Sequence, residues 1–192
     1  MTDLSTLELT NARDPYRSVA ARSWKITDAS TLVAPLELEA DVVIVGTGAG
    51  GGTAAEILSA AGLDVVLLEA GGLVTSSDFR LEERQAFRDL YQEGTGRATK
   101  DGAIAILQGR TVGGSTTVNW TSSFRTPEPT LAYWAERMGV TGCSPAELAP
   151  WFARMEERLG IAEWALPPNP NNDVLRRAAE ALGYSWHPIP RN

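Results

Sequence analysis

The chain has 192 residues, 43% of them hydrophobic and 21% charged, with a formal net charge of −7. That acidity argues against a nucleic-acid binder, which needs a basic surface, and against docking on anionic lipid. No run approaches the roughly 20 apolar residues of a membrane-spanning helix, so no membrane insertion is expected. The single cysteine, Cys143, makes neither an internal disulfide nor a zinc cluster.

The N-terminus, "MTDLSTLELTNARDPYR", lacks the basic start and apolar core of a signal peptide. A reducing cytoplasm is the expected compartment, and Cys143 reads as a packing residue. Residues 1–38 are mixed and polar, an N-terminal arm. A core over 39–125 and a helical or linker region over 126–192 follow.

"ADVVIVG", Ala40 to Gly46, is a β-branched run ending on glycine, the pattern of a buried parallel strand. A helix of small residues is predicted from about Gly50 to Ala61, with Gly62 as its stop. "DVVLLEAGG", Asp64 to Gly72, is a second buried strand. Together they form a strand–helix–strand unit of parallel-crossover length.

"DFRLEERQAFRDLYQE", Asp78 to Glu93, predicts a solvated helix, and "AIAILQG", Ala103 to Gly109, a third strand. Ser144, Pro145 and Glu147 form a capping box with proline at the first helical position. The helix they open carries an apolar stripe of Leu148, Phe152, Met155 and Leu159, and Pro150 should kink it or delay its start. "PPNPNN" reads as a linker and "DVLRRAAEAL" as a last helix closed by Gly183. Trp134, Trp151 and Trp164 read as packing anchors.

The chemistry lies in two glycine clusters. Gly46-x-Gly48-x-x-Gly51 sits between the first strand and helix, flanked by Ala49 and Gly50. Gly46 permits the tight turn, Gly48 lets a pyrophosphate reach the backbone, and Gly51 lets the helix pack on the strand. The helix N-terminus offers free N–H groups and a positive dipole end. Glu69, followed by Ala70, ends the second strand, where a carboxylate can accept from the ribose hydroxyls of an adenosine. Strand, loop, helix and acid agree on a dinucleotide site. NAD and FAD both satisfy it, and Glu69 disfavours NADP.

The second cluster, "GRTVGGSTTVNW" from Gly109 to Trp120, favours FAD. A plain NAD domain has no use for a second Gly-Gly loop. Gly113 and Gly114 allow close main-chain approach, and Ser115 and Thr116 can donate hydrogen bonds.

Together the two stretches resemble the N-terminal part of the glucose–methanol–choline (GMC) oxidoreductases. The signature is matched by Gly109, Arg110, Val112, Gly113, Gly114, Ser115, Thr116, Val118 and Asn119. "LAYWAERMGVTGCSPAELAPWFARMEERLGI" resembles the family's connecting segment. The resemblance implies an α/β, Rossmann-like FAD-binding domain with parallel strands and helices, incomplete here, plus a helical connecting segment. It implies an alcohol substrate oxidised by hydride transfer to FAD, and a cofactor role for Arg110 and Asn119. No histidine stands in the signature, so the FAD is expected to be non-covalent.

The family's catalytic histidine and its partner belong to a C-terminal region of a longer chain. No catalytic residue is therefore assigned here, and no metal ligand. His187 reads as an ordinary strand or surface histidine. No motif specifies the electron acceptor. Two other readings stay open. A small NAD-dependent dehydrogenase predicts continued strand–helix alternation. A non-catalytic dinucleotide-binding module predicts binding without turnover.

Overall fold

The computed structural model describes residues 25–75, 78–163 and 166–192. The N-terminal arm expected over residues 1–38 lies outside them as far as residue 24, as does Trp164. The described chain divides into two compact units between Asn119 and Trp120.

In the first unit, β1 (Val42–Val45) and β2 (Val65–Leu68) pair in parallel, joined by α1 (Ala49–Ala60). The register sets Val42 against Val65 and Val45 against Leu68. Along β1 the side chains alternate. Val42 and Ile44 are half-buried, while Val43 and Val45 are 57% and 83% exposed. Both strands were expected to be buried on two faces. A continuous apolar run needs cover on both sides of the sheet, and α1 covers only the face that carries Ile44.

The predicted helix stop holds. Ala61 caps α1, and Gly62 takes a φ of +89°, the left-handed conformation that glycine adopts without a side-chain penalty.

α2 (Glu83–Leu90) is shorter than the predicted helix from Asp78. Asp78 instead closes a turn, accepting from the Thr75 N–H at 2.8 Å and the Thr75 hydroxyl at 2.9 Å. Leu81, at φ +57°, then interrupts any helical path. A short 3₁₀ turn, Gln92–Thr95, follows α2.

Residues 103–109 do not form the expected third strand. They run back along the preceding segment through single bridges, Ala98 to Ala105 and Tyr91 to Gly109. Backbone bonds such as Ile106 N–H to Arg97 O at 2.9 Å tie them there. The segment thus forms a local hairpin-like loop held by its backbone, outside the parallel sheet, with the side chains of Ile104, Ile106 and Leu107 exposed.

Among its described residues the second unit has three helices. α3 (Glu128–Met138) ends on left-handed Gly139 and buries Leu131 to 2% exposure. α4 (Pro145–Leu159) opens with the predicted capping box: Glu147 N–H donates to the Ser144 hydroxyl, and Ser144 N–H donates to the Glu147 carboxylate. Pro150 does not delay its start, because Ser144 and Pro145 fix the first turn upstream. α5 (Pro170–Ala181) begins inside the predicted linker. The Asn169 side chain accepts from Asn172 N–H at 2.9 Å, and Pro170 supplies a helical φ at the first position. Gly183 follows its end at φ +72°. A small antiparallel pair, β3 (Ala162–Glu163) with β4 (Pro190–Arg191), completes the unit.

Candidate functional site: two glycine loops joined through Thr47 and Glu69

The first glycine loop leaves β1 at Gly46, whose φ is +90°. Gly46 N–H donates to Leu68 O at 2.7 Å, so the turn begins on the last rung of the strand pair. Gly48 then occupies the N-cap of α1 without a side-chain cap. The first N–H groups of any helix have no intrahelical acceptor, so the start of α1 presents open donors.

The glycines separate by what surrounds them. A Cβ on Gly51 would lie 1.9 Å from Gly46 O and 3.3 Å from Ile44 Cγ2, so this position is closed by the strand turn. Gly48 and Gly50 have nothing within 4 Å of an added Cβ. Gly51 therefore serves the helix–strand contact. Gly48 and Gly50 keep space free beside the helix N-terminus, and Ala49 between them is exposed.

The second cluster folds onto the first. A Cβ on Gly114 would lie 3.0 Å from Gly48 Cα. Gly113, at φ +93°, precedes a short 3₁₀ turn over Gly114–Thr116. The segment is anchored from below by Thr111, which is fully buried and donates its hydroxyl to Gly72 O at 2.9 Å. Gly71 packs so closely on the Arg110–Thr111 peptide that any Cβ there would stand 2.3 Å from it. Ser115 is exposed, its hydroxyl accepting from Gly109 N–H at 3.0 Å. Arg110 has an exposed side chain, while its backbone N–H donates to Leu90 O at 2.7 Å. Asn119 is exposed, at the edge of the unit.

Glu69 stands just past β2 and faces this junction. Its Oε2 accepts from Thr47 N–H at 2.9 Å and from the Thr47 hydroxyl at 2.7 Å, and its Oε1 from Gly71 N–H at 2.9 Å. Burial pushes the carboxyl up. The N–H of Gly71, the hydroxyl and N–H of Thr47, and the N–H of Ala70 outweigh it and hold the pKa below the ordinary 4.5. Glu69 is thus ionised near neutral pH.

Sequence reasoning missed Thr47. Its hydroxyl donates to Glu69 and also accepts from Gly113 N–H at 3.0 Å, so one side chain meets both glycine loops. A hydroxyl inside an otherwise side-chain-poor loop is the signal that marks it. His187 is exposed and lies in the second unit, between α5 and β4. A cavity of about 470 Å³ in the first unit is lined by α2 and residues 74 and 78–82, and by no residue of either glycine loop. Among the described residues, no helix is long and apolar enough to cross a membrane.

A parallel strand pair joined through a glycine turn and a helix defines an α/β protein. Comparison with known proteins narrows that class. The family profile for GMC oxidoreductases matches residues 87–192. A long-chain-alcohol oxidase of Arabidopsis thaliana, FAO4A, is 36% identical over 167 residues, covering 86% of this chain and 23% of the relative. A GMC-type oxidoreductase of Mycobacterium tuberculosis is 34% identical over 185 residues, 94% of this chain and 29% of the relative. A solved FAD-dependent oxidoreductase from Chaetomium thermophilum is 22% identical with a TM-score of 0.47, over 78% of this chain and 24% of that one. The chain belongs to the GMC oxidoreductase family. It spans about a quarter of the length of the curated relatives it matches. FAD is the cofactor of the family's N-terminal portion, into which this chain falls.

Proposed function

We propose that this chain is the FAD-binding portion of a GMC-type flavoenzyme that oxidises alcohols, built on a Rossmann-like α/β unit. One observation carries the reading. Gly48 is open at the N-terminus of α1, and Gly51, three residues on, is sealed against Gly46. The loop thus keeps free the side that a pyrophosphate would use and closes the side that the fold needs. The residues present fit the cofactor in kind. Gly46, Gly48, Ala49, Gly50 and Gly51 would hold the pyrophosphate. Glu69, with Ala70, would take the ribose. Gly113, Gly114, Ser115, Arg110 and Asn119 would border the remainder without a covalent link.

When bound, FAD supplies the two-electron acceptor for oxidation of a CH–OH donor. This chain's own residues bind and orient. The α1 N–H groups and dipole offset phosphate charge, and the ionised Glu69 selects hydroxyls over a 2′-phosphate. The long-chain-alcohol oxidases among its relatives support an alcohol as substrate.

The test is a flavin absorption spectrum taken after adding FAD and removing the excess. The expected result is retained flavin in the unsubstituted chain and none in Gly48→Arg. Gly48 has a negative φ and open surroundings, so its arginine variant should keep its far-UV dichroism. Equal retention by a folded Gly48→Arg, or none by the unsubstituted chain, overturns the assignment.

A further inference from the structure

The geometry points to Thr47 as a positioning residue that sets the second glycine loop on the first through Glu69. Its O–H donates to Glu69 Oε2 at 2.7 Å, and its oxygen accepts from Gly113 N–H at 3.0 Å. A hydroxyl has one proton to give and lone pairs to receive with, so both bonds form at once. The backbone N–H of Thr47 donates to the same Oε2 at 2.9 Å, which aligns the side chain and main chain of one residue on one carboxylate oxygen. Glu69 Oε1, bound by Gly71 N–H, is left as the oxygen with acceptor capacity to share.

Two consequences follow. The carboxylate is held in place before any ligand arrives. The Gly113 amide, 66 residues from Thr47, is pinned to the first loop by a side chain and not by sheet pairing. Gly114, whose would-be Cβ lies 3.0 Å from Gly48 Cα, depends on that register. Losing the hydroxyl would release the Gly113 amide, while Thr111 and Val112 still hold the segment to Gly72, and would leave Oε2 one donor short. The effect on FAD rests on the cofactor reading above; the loop coupling stands without it.

The experiment compares Thr47→Val, which keeps the shape, with Thr47→Ser, which keeps the hydroxyl. Amide hydrogen exchange in the ligand-free full chain reads the coupling. The Gly113 amide is expected to lose protection about tenfold or more in Thr47→Val and to recover in Thr47→Ser. The Val112 amide, bonded to Gly72 O at 3.0 Å, is the internal control and should hold its protection. FAD titration followed by flavin fluorescence should show affinity down roughly tenfold in Thr47→Val and restored in Thr47→Ser. Unchanged Gly113 exchange overturns the inference. So does an equal loss at Val112 and Gly113, which would mean general destabilisation. If the unsubstituted chain binds no FAD, the cofactor reading fails and the exchange data alone decide the coupling. If it binds FAD and Thr47→Val binds as tightly, the positioning role fails while the cofactor reading stands.

Discussion

Adjacent glycines in α1 should respond in opposite directions to the same substitution. In Gly51→Ala the new Cβ falls 1.9 Å from Gly46 O and 3.0 Å from Gly46 C, both backbone atoms of the strand turn. No side-chain rotation relieves that contact, so helix and strand must part. In Gly52→Ala the nearest atom, Thr47 O, lies 3.7 Å away, an ordinary contact. Alanine gains about 0.5–1 kcal/mol over glycine in a helix, and both positions sit near the start of α1, so that gain largely cancels between them. What remains is the overpacking cost of about 1–3 kcal/mol. With a urea m-value of about 2 kcal/mol/M, the two midpoints should differ by roughly 0.5–1.5 M. Gly52→Ala should lie at or above the unsubstituted chain and Gly51→Ala below it. Urea unfolding followed by circular dichroism provides the comparison. Equal midpoints with equal slopes would refute the claim that Gly51 is required by helix–strand contact.

Three further outcomes are expected. Gly113→Ala combines a φ of +93° with a Cβ only 2.3 Å from Thr117 Oγ1; strain of about 1–2 kcal/mol from the left-handed backbone alone should lower the melting temperature, and an unchanged value would count against this turn. Ser144→Ala should cost about 1 kcal/mol at the start of α4, and Ser144→Gly only a few tenths, read as thermal shifts. The Glu69 carboxyl is held low in the folded state, so it adds stability above its unfolded pKa that is lost as pH falls through the folded value. Glu69→Gln should therefore flatten the stability profile on the acid side of pH 4.5 and below, measured by melting across that range; an unaltered acid limb would show that the Thr47 and Gly71 bonds do not form.

Local features were legible in the sequence wherever one residue's own chemistry decides the backbone. Gly62 stops α1 because left-handed φ favours glycine. Ser144, Pro145 and Glu147 open α4 because their groups satisfy each other within one turn. The Gly46–Gly51 loop was readable because strand, glycine spacing and helix follow directly in the chain. The start of α5 is not legible in composition, since "PPNPNN" reads as linker, yet the Asn169 cap makes Pro170 the first helical residue. The Ala103–Gly109 run has strand composition, yet its partners are the residues just before it, and composition does not name a partner.

Sequence alone determined that two glycine clusters and an acid exist and what each could hold. Only the tertiary structure decided that Gly114 rests on Gly48, that β1 has one covered face, and that Glu69 spends its first bonds on Thr47 and Gly71. The reason is the distance along the chain. A glycine's conformational freedom is local, whereas the bond between Thr47 and Gly113 spans 66 residues and forms only once β1 and β2 have brought their loops to the same end of the sheet.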